Sequence, residues 1–434
     1  MGGVETKVAA PGLAGMADLD VEVLIVGGGM VGATLACALA GAGIAAVAVD
    51  RDDPVRWAAL EFDGRASAIA RASQRVLAAL GLWADMAPHA APILDIRVTD
   101  GASPLFLHYD HRAVDGAPLG YILENRHYRR ALARRLPALD DGALIAPAEI
   151  VALERGPARV QAQLADGRRV RAALAVACDG RESPTRRDAD IRVTRWAYDQ
   201  TAIVCTVAHE RPHRGIAQEH FLPAGPFAIL PLPDGAGPIP DPAAPGLPPH
   251  RSSIVWTERP ALVDPLLALD ENGFMAELEK RFGDYLGALA PVGPRWTHPL
   301  SLSHAATYIA PRLALAGDAA HGMHPIAGQG LNMGLRDVAA LAEVLVDARR
   351  LGLDIGSTAV LERYQRWRRF DTVLMLAMTD GLNRLFSNRI VPLRLARDLG
   401  LAAVNRLPAT KRFFMRHAMG LVGELPRLAR GEPL

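Results

Sequence analysis

The sequence predicts an α/β chain: a parallel-sheet domain, interrupted by a sheet-based domain and closed by a helical C-terminal segment. Three observations predict it. Short apolar runs that read as buried parallel strands recur at residues 21–26 (VEVLIV), 45–49 (AAVAV), 174–178 (LAVAC) and 313–316 (LALA). Between them, residues 191–257 have a different, strand-dominated texture. From Leu361 onward the pattern is nearly all helical.

The chain has 434 residues, enough for two or three domains. The expected division is a disordered tail at 1–18, a first domain at 19–183 and an inserted domain at 184–295. The first domain resumes at 296–370, and a helical segment fills 371–434. Residues 33–41 carry helix formers and join the first two strands into a βαβ unit. Residues 63–83 look helical, with Ile69, Val76, Leu77 and Leu80 on one face. Residues 128–136 and 331–345 are further helices. Residues 149–177 alternate like antiparallel strands, with a turn at Asp166-Gly167. Residues 233–251 are dense in Pro and Gly and read as a mobile insertion without a core.

Lys plus Arg number 48 against 47 Asp plus Glu, so the charge balance gives no reason to expect a nucleic-acid partner. Cys37, Cys178 and Cys205 are far apart and lie in apolar runs, which indicates neither a zinc site nor a disulfide framework. No apolar run approaches the roughly 20 residues of a spanning helix.

The first strand runs directly into a GxGxxG turn made by Gly27, Gly29 and Gly32. The first glycine permits the tight turn, the second lets backbone approach a pyrophosphate, and the third allows close helix–strand packing. The helix that follows offers its positive end to the phosphates. The second strand ends at Asp50, 23 residues after Gly27 (50 − 27 = 23) and close to the spacing of a ribose-binding acid. Glycine-rich turns are common, and this one draws its meaning from the strand before it and the helix after it. Alone, it does not separate FAD from NAD.

Two later segments do. Residues 178–186 (CDGRESPTR) place Asp179 at a strand's carboxyl end, where open α/β sheets bind ligands. Residues 315–337 (LAGDAAHGMHPIAGQGLNMGLRD) deliver Asp318 at another strand end, followed by Gly328 and Gly330 and a helix start near Leu331. Such a helix start can stabilise negative charge on a flat ring lying against the glycines. These segments resemble the signatures of the aromatic-hydroxylase class of flavoprotein monooxygenases. More narrowly, residues 324–332 (HPIAGQGLN), 63–70 (DGRASAIA), 196–202 (WAYDQTA) and 221–231 (FLPAGPFAILP) resemble the ubiquinone-biosynthesis hydroxylase family. The resemblance runs in chain order from about Val21 to about Leu425.

The resemblance implies an FAD-binding Rossmann-like domain with an inserted substrate domain, and it implies roles. Gly27, Gly29, Gly32 and Asp50 hold the ADP half of FAD. Arg65 and Arg126 contact the cofactor near its phosphates and ring, and Asp318 binds the ribitol chain. Gly328, Gly330, Leu331 and Asn332 line the isoalloxazine. Asp179 shapes the groove shared with a nicotinamide donor, NADPH or NADH. The implied reaction is hydroxylation of a polyprenyl phenol in ubiquinone biosynthesis through a flavin C4a-hydroperoxide, with no catalytic side chain and no metal. The alternatives are a hydroxylase of a small soluble aromatic, or a non-hydroxylating flavoprotein scaffold within a biosynthetic complex.

Other candidates carry less. His321 and His324 are three apart with no third ligand in view, so a loop-ordering role is expected rather than a metal site. Trp196, Tyr198 and Phe227 either line a substrate pocket or form sheet core. Cys205 has no basic neighbour and is not expected to be reactive. Residues 384–415 interleave Arg384, Arg389, Arg394, Arg397, Arg406, Lys411 and Arg412 with apolar side chains. They form either a peripheral contact with the inner-membrane face of a cytoplasmic protein, or a helix packed internally with solvated arginines. A ubiquinone-biosynthesis complex is a further expected partner.

Overall fold

The computed structural model describes residues 18–58, 62–101, 103, 105–139, 143–234, 248–324, 328–387, 397, 400 and 404–434. Most of the expected tail (1–17), most of the expected insertion (235–247), the 325–327 stretch, Arg389 and Arg394 lie outside the described residues.

The apolar runs become neighbouring strands of one sheet. Its parallel strands lie in the order Leu313–Leu315, Arg169–Ala177, Leu19–Val26, Ala46–Val49 and Leu144–Ile145. Val23, Leu24 and Ile25 are fully buried, as expected for strands covered on both faces. Strands Ile150–Arg155 and Val160–Leu164 extend the sheet antiparallel from Arg169–Ala177. Helix Met30–Gly41 is buried from Gly32 to Leu39 and packs on the long helix Gln329–Arg350. A Cβ on Gly334 would stand 2.7 Å from Val31 Cγ2, so the missing side chain lets these helices approach closely.

The second sheet has eight strands. Leu289–Ala305 pairs along Val193–His209, which is followed in order by His250–Glu258, Gly225–Pro231, Ile216–Leu222, Asp95–Asp100 and Phe106–Asp110. Strand His321–Gly322 closes the other edge. Alternation gives the sheet two faces. Ile203, Phe227, Ile229, Ile254 and Trp256 point to helices Pro260–Leu267 and Glu271–Phe282, which contribute Val263, Phe274, Leu278 and Phe282. The opposite face meets the C-terminal helices: Phe221 stacks on Phe386 at 4.3 Å, and Ala217 clusters with Met415 and Met419.

Three expectations change. Residues 66–70 are strand Ala66–Ala70, and the helix begins only at Arg71. This alanine-rich stretch pairs antiparallel with Gly120–Glu124, and the ladder outweighs its helix propensity. Strand Leu289–Ala305 continues unbroken through residue 296, and the second sheet takes two strands from within 19–183, so the two sheets interleave along the chain. Arg397, expected on a surface face, is buried and paired to Asp100 at 2.8 Å.

Candidate cofactor and active site

Gly27, Asp179 and Asp318 sit just beyond the carboxyl ends of three adjacent parallel strands, where ligand crevices form in such sheets. Gly27 has φ +97°, and a Cβ there would stand 2.6 Å from the Cys178 carbonyl oxygen. A Cβ on Gly32 would overlap the Gly27 carbonyl. Gly29 differs: nothing lies within 4 Å of its would-be Cβ. The first and third glycines are therefore needed for packing, while the second opens space at a helix N-terminus. Asp50 closes the turn, its Oδ2 accepting from Gly28 N at 2.6 Å and its Oδ1 from Asp52 N at 2.8 Å. Each oxygen keeps a second lone pair for a hydroxyl donor.

The two acidic segments are locked together. Asp179 Oδ2 accepts from Thr185 N at 3.1 Å, while its buried Oδ1 has no partner. Arg186, in the same segment, donates to the carbonyls of Ala319 (2.8 Å) and Arg181 (2.9 Å). It thereby fixes the first segment to the turn bearing Asp318. Asp318 is exposed, and its ion pair with Arg181 is long at 3.8 Å.

Beneath that turn lies a buried network that spacing did not reveal. Asp337 Oδ2 accepts from Gly317 N (2.9 Å) and meets His321 Nε2 (2.6 Å), while Oδ1 accepts from Arg368 Nε (2.8 Å). Arg368 continues to Asp371 at 2.6 Å. Burial pushes the Asp337 carboxyl up, but His321 and Arg368 outweigh it and hold it below the ordinary range. His321 thus orders the loop, as expected. Its carboxylate partner comes from the following helix, 16 residues away.

The ring-side segment begins at Gly328, the left-handed cap (φ +60°) of helix Gln329–Arg350. A Cβ on Gly328 would press on the Ala68 Cβ at 2.7 Å, whereas Gly330 has nothing within 4 Å. Asn332 is fully buried. Its Oδ1 accepts from Ala70 N (2.8 Å), and its Nδ2 donates to the carbonyls of Ala68 (2.8 Å) and Gly328 (3.1 Å). The side chain is spent on pinning the helix start to strand Ala66–Ala70, so only the Asn332 backbone is left to face a ring. Leu331 is half-buried.

Arg65 is exposed, and Arg126 is buried. Arg126 donates to Glu124 at 2.9 Å and lies 5.2 Å over the Phe62 ring, with its Nε unpartnered. Trp296 packs edge-on to Phe62 and occupies the space where Gly64 lacks a Cβ. Phe62 and Glu124 therefore support Arg126, and Trp296 backs Phe62. The glycine of the DGR motif was the one sign of this in the sequence.

Tyr198 and Trp196 pack against the buried apolar cluster of Leu302, Met323, Met333, Met375 and Leu376, whereas Phe227 belongs to the core on the far face of the sheet. Tyr198 donates to Asp380 at 2.8 Å. Gln200 Nε2 donates to the Ala224 carbonyl, which fixes its Oε1 as the acceptor for His324 Nε2 at 3.1 Å. Burial drives the His324 pKa down to about 4. Burial raises the Cys205 thiol to about 12, in line with an unreactive cysteine.

A model of the FAD binding domain family matches residues 20–371. The chain is 56% identical to the ubiquinone hydroxylase UbiL of Rhodospirillum rubrum, covering 97% of this chain and 95% of that protein. It is 36% identical to the 3-demethoxyubiquinol 3-hydroxylase of Escherichia coli K12, covering 94% and 100%. The chain belongs to the ubiquinone-biosynthesis hydroxylase family. It is an FAD-dependent monooxygenase. The p-nitrophenol 4-monooxygenase PnpA of Pseudomonas putida DLL-E4 shares the fold, with a TM-score of 0.75 at 20% identity over 94% of this chain and all of that one. The crevice of this hydroxylase fits FAD at both ends. Gly29 and Gly330 leave open space, and the buried Arg126 Nε and Asp179 Oδ1 have no protein partner among the described residues.

Proposed function

We propose that this family member hydroxylates the aromatic ring of a polyprenyl phenol on the way to ubiquinone. The observation that carries the reading is the 56% identity, over nearly the whole of both chains, to a ubiquinone hydroxylase.

The residues divide the work. The turn of Gly27, Gly29 and Gly32 holds the pyrophosphate at the helix N-terminus, and Asp50 takes the ribose. Asp318 takes the ribitol chain, held in place by the Asp337 network. Arg65 and Arg126 contact the cofactor near its phosphates and ring. Gly328, Gly330, Leu331 and the Asn332 backbone line the ring, where the helix start favours the negative charge of a reduced flavin. Asp179 borders the groove for NADPH or NADH as electron donor. FAD, when bound, supplies the electrons that activate molecular oxygen for insertion into the ring.

Quinone-intermediate profiling of a strain lacking this protein tests the reading. Accumulation of a prenylated phenol one hydroxyl short is expected, with oxygen uptake by the purified enzyme matching product formed. Normal quinone profiles would instead favour a small soluble aromatic as substrate. Absence of coupled oxygen uptake with any phenol would favour a scaffold subunit of a biosynthetic complex.

A further inference from the structure

Glu219 stands in strand Ile216–Leu222 with Ala228 and Val98 as its cross-strand partners. Alternation puts it on the same face as Ala217 and Phe221. That face looks toward the site: Ala217 clusters with Ala66, Ala68 and Leu230, and Ala68 is the residue against which Gly328 lies. From Ala217 to Glu219 is about 7 Å along a strand. Phe221, two residues further, stacks on Phe386 of the covering helix.

Among the described residues Glu219 makes no hydrogen bond and no ion pair, and burial alone raises its pKa to about 7. Glu219 is half-buried on this face. A carboxyl in such surroundings costs stability unless something pairs with it.

We propose that Glu219 is the substrate-recognition residue of this hydroxylase, accepting the hydrogen bond of the phenol hydroxyl on the face of the sheet that looks toward the C-terminal helices. The inference rests on the phenol reading above. Val98, Ala228 and Phe221 make its surroundings on this face apolar, and one acceptor among them would set which edge of a bound ring faces the flavin segment. A hydroxyl is the complementary donor.

The test compares ortho-geranylphenol with its O-methyl ether, binding to FAD-loaded protein and followed by flavin fluorescence. Wild type should bind the phenol at least tenfold more tightly than the ether, as expected for a hydrogen bond to a charged group. Glu219→Leu should lose that preference while keeping its FAD, and should melt no lower than wild type because it removes an unpaired carboxyl among apolar neighbours. Glu219→Gln, which keeps an acceptor, should retain part of the preference. Equal preference in wild type and Glu219→Leu overturns the proposal and leaves the substrate reading intact. A wild type that binds neither compound overturns both.

Discussion

At the residue scale, Asp337 shows how much a buried charge can organise. It satisfies Gly317 N, His321 and Arg368 at once, so the turn carrying Asp318 is fixed from below. A second buried group, His324, gives a pH-dependent signature. Burial lowers its pKa from 6.5 to about 4, so the folded protein keeps the ring neutral while the unfolded chain protonates it near 6.5. The unfolded state then binds more protons in that window, and stability falls as pH drops from about 6.5 toward 4. The share of His324 is on the order of 3 kcal/mol. His304, also brought to about 4 chiefly by burial, adds to the slope in the same direction. Denaturant melts of wild type and His324→Gln between pH 4 and 6.5 should show a shallower dependence in the variant. Identical slopes would mean that His324 is not held neutral by the fold.

At the element scale, the three glycines of the first turn separate fold from function. Gly29→Val adds a side chain into open space, so the fold should survive with a near-native melting temperature while FAD is lost. Gly32→Val drives a side chain into the Gly27 carbonyl and should destabilise the protein by several kcal/mol, in the range of severe overpacking. Flavin absorbance and thermal melts of both variants check this; a yellow Gly29→Val protein would refute the assigned role. The strand, turn and helix around these glycines, and the helix after Gly328, were legible because such elements follow one another locally in the chain. The Ala66–Ala70 strand was not legible, because its partner Gly120–Glu124 is 50 residues away and alanine alone favours helix. The structural task of Asn332 was not legible. Its fork of hydrogen bonds to Ala68 and Ala70 exists only once helix and strand meet. Glu219 gave no sign at all in the sequence, because an acid in an alternating strand looks like an ordinary outward-facing residue until a cover closes over it.

At the scale of the whole molecule, the question is how a substrate that lives in a bilayer reaches the crevice. Each buried methylene holds a prenyl tail in lipid by about 0.8 kcal/mol, so the enzyme visits the surface or a partner delivers the substrate. Among the described residues no helix is long and apolar enough to cross a membrane. Helix Pro408–Ala418 is the surface to test for a shallower contact: Leu407 (54% exposed) and Phe413 (53%) project beside exposed Arg406, Arg412 and Arg416. Met415, on the other side of this helix, reaches the cluster that holds Ala217. Arg397 takes no part, being committed to Asp100. Each surface-adjacent arginine contributes about 1 kcal/mol against anionic lipid. Changing Arg406, Arg412 and Arg416 together to Glu should therefore abolish sedimentation with anionic liposomes while FAD content stays normal, and Phe413→Ser should weaken it in part. Wild type that ignores anionic liposomes at low salt would rule out this face as a lipid contact. The exposed Phe370, Val373, Leu374 and Leu382 of the long helix Thr358–Phe386 would then be the surface to examine for a partner protein that hands the substrate over.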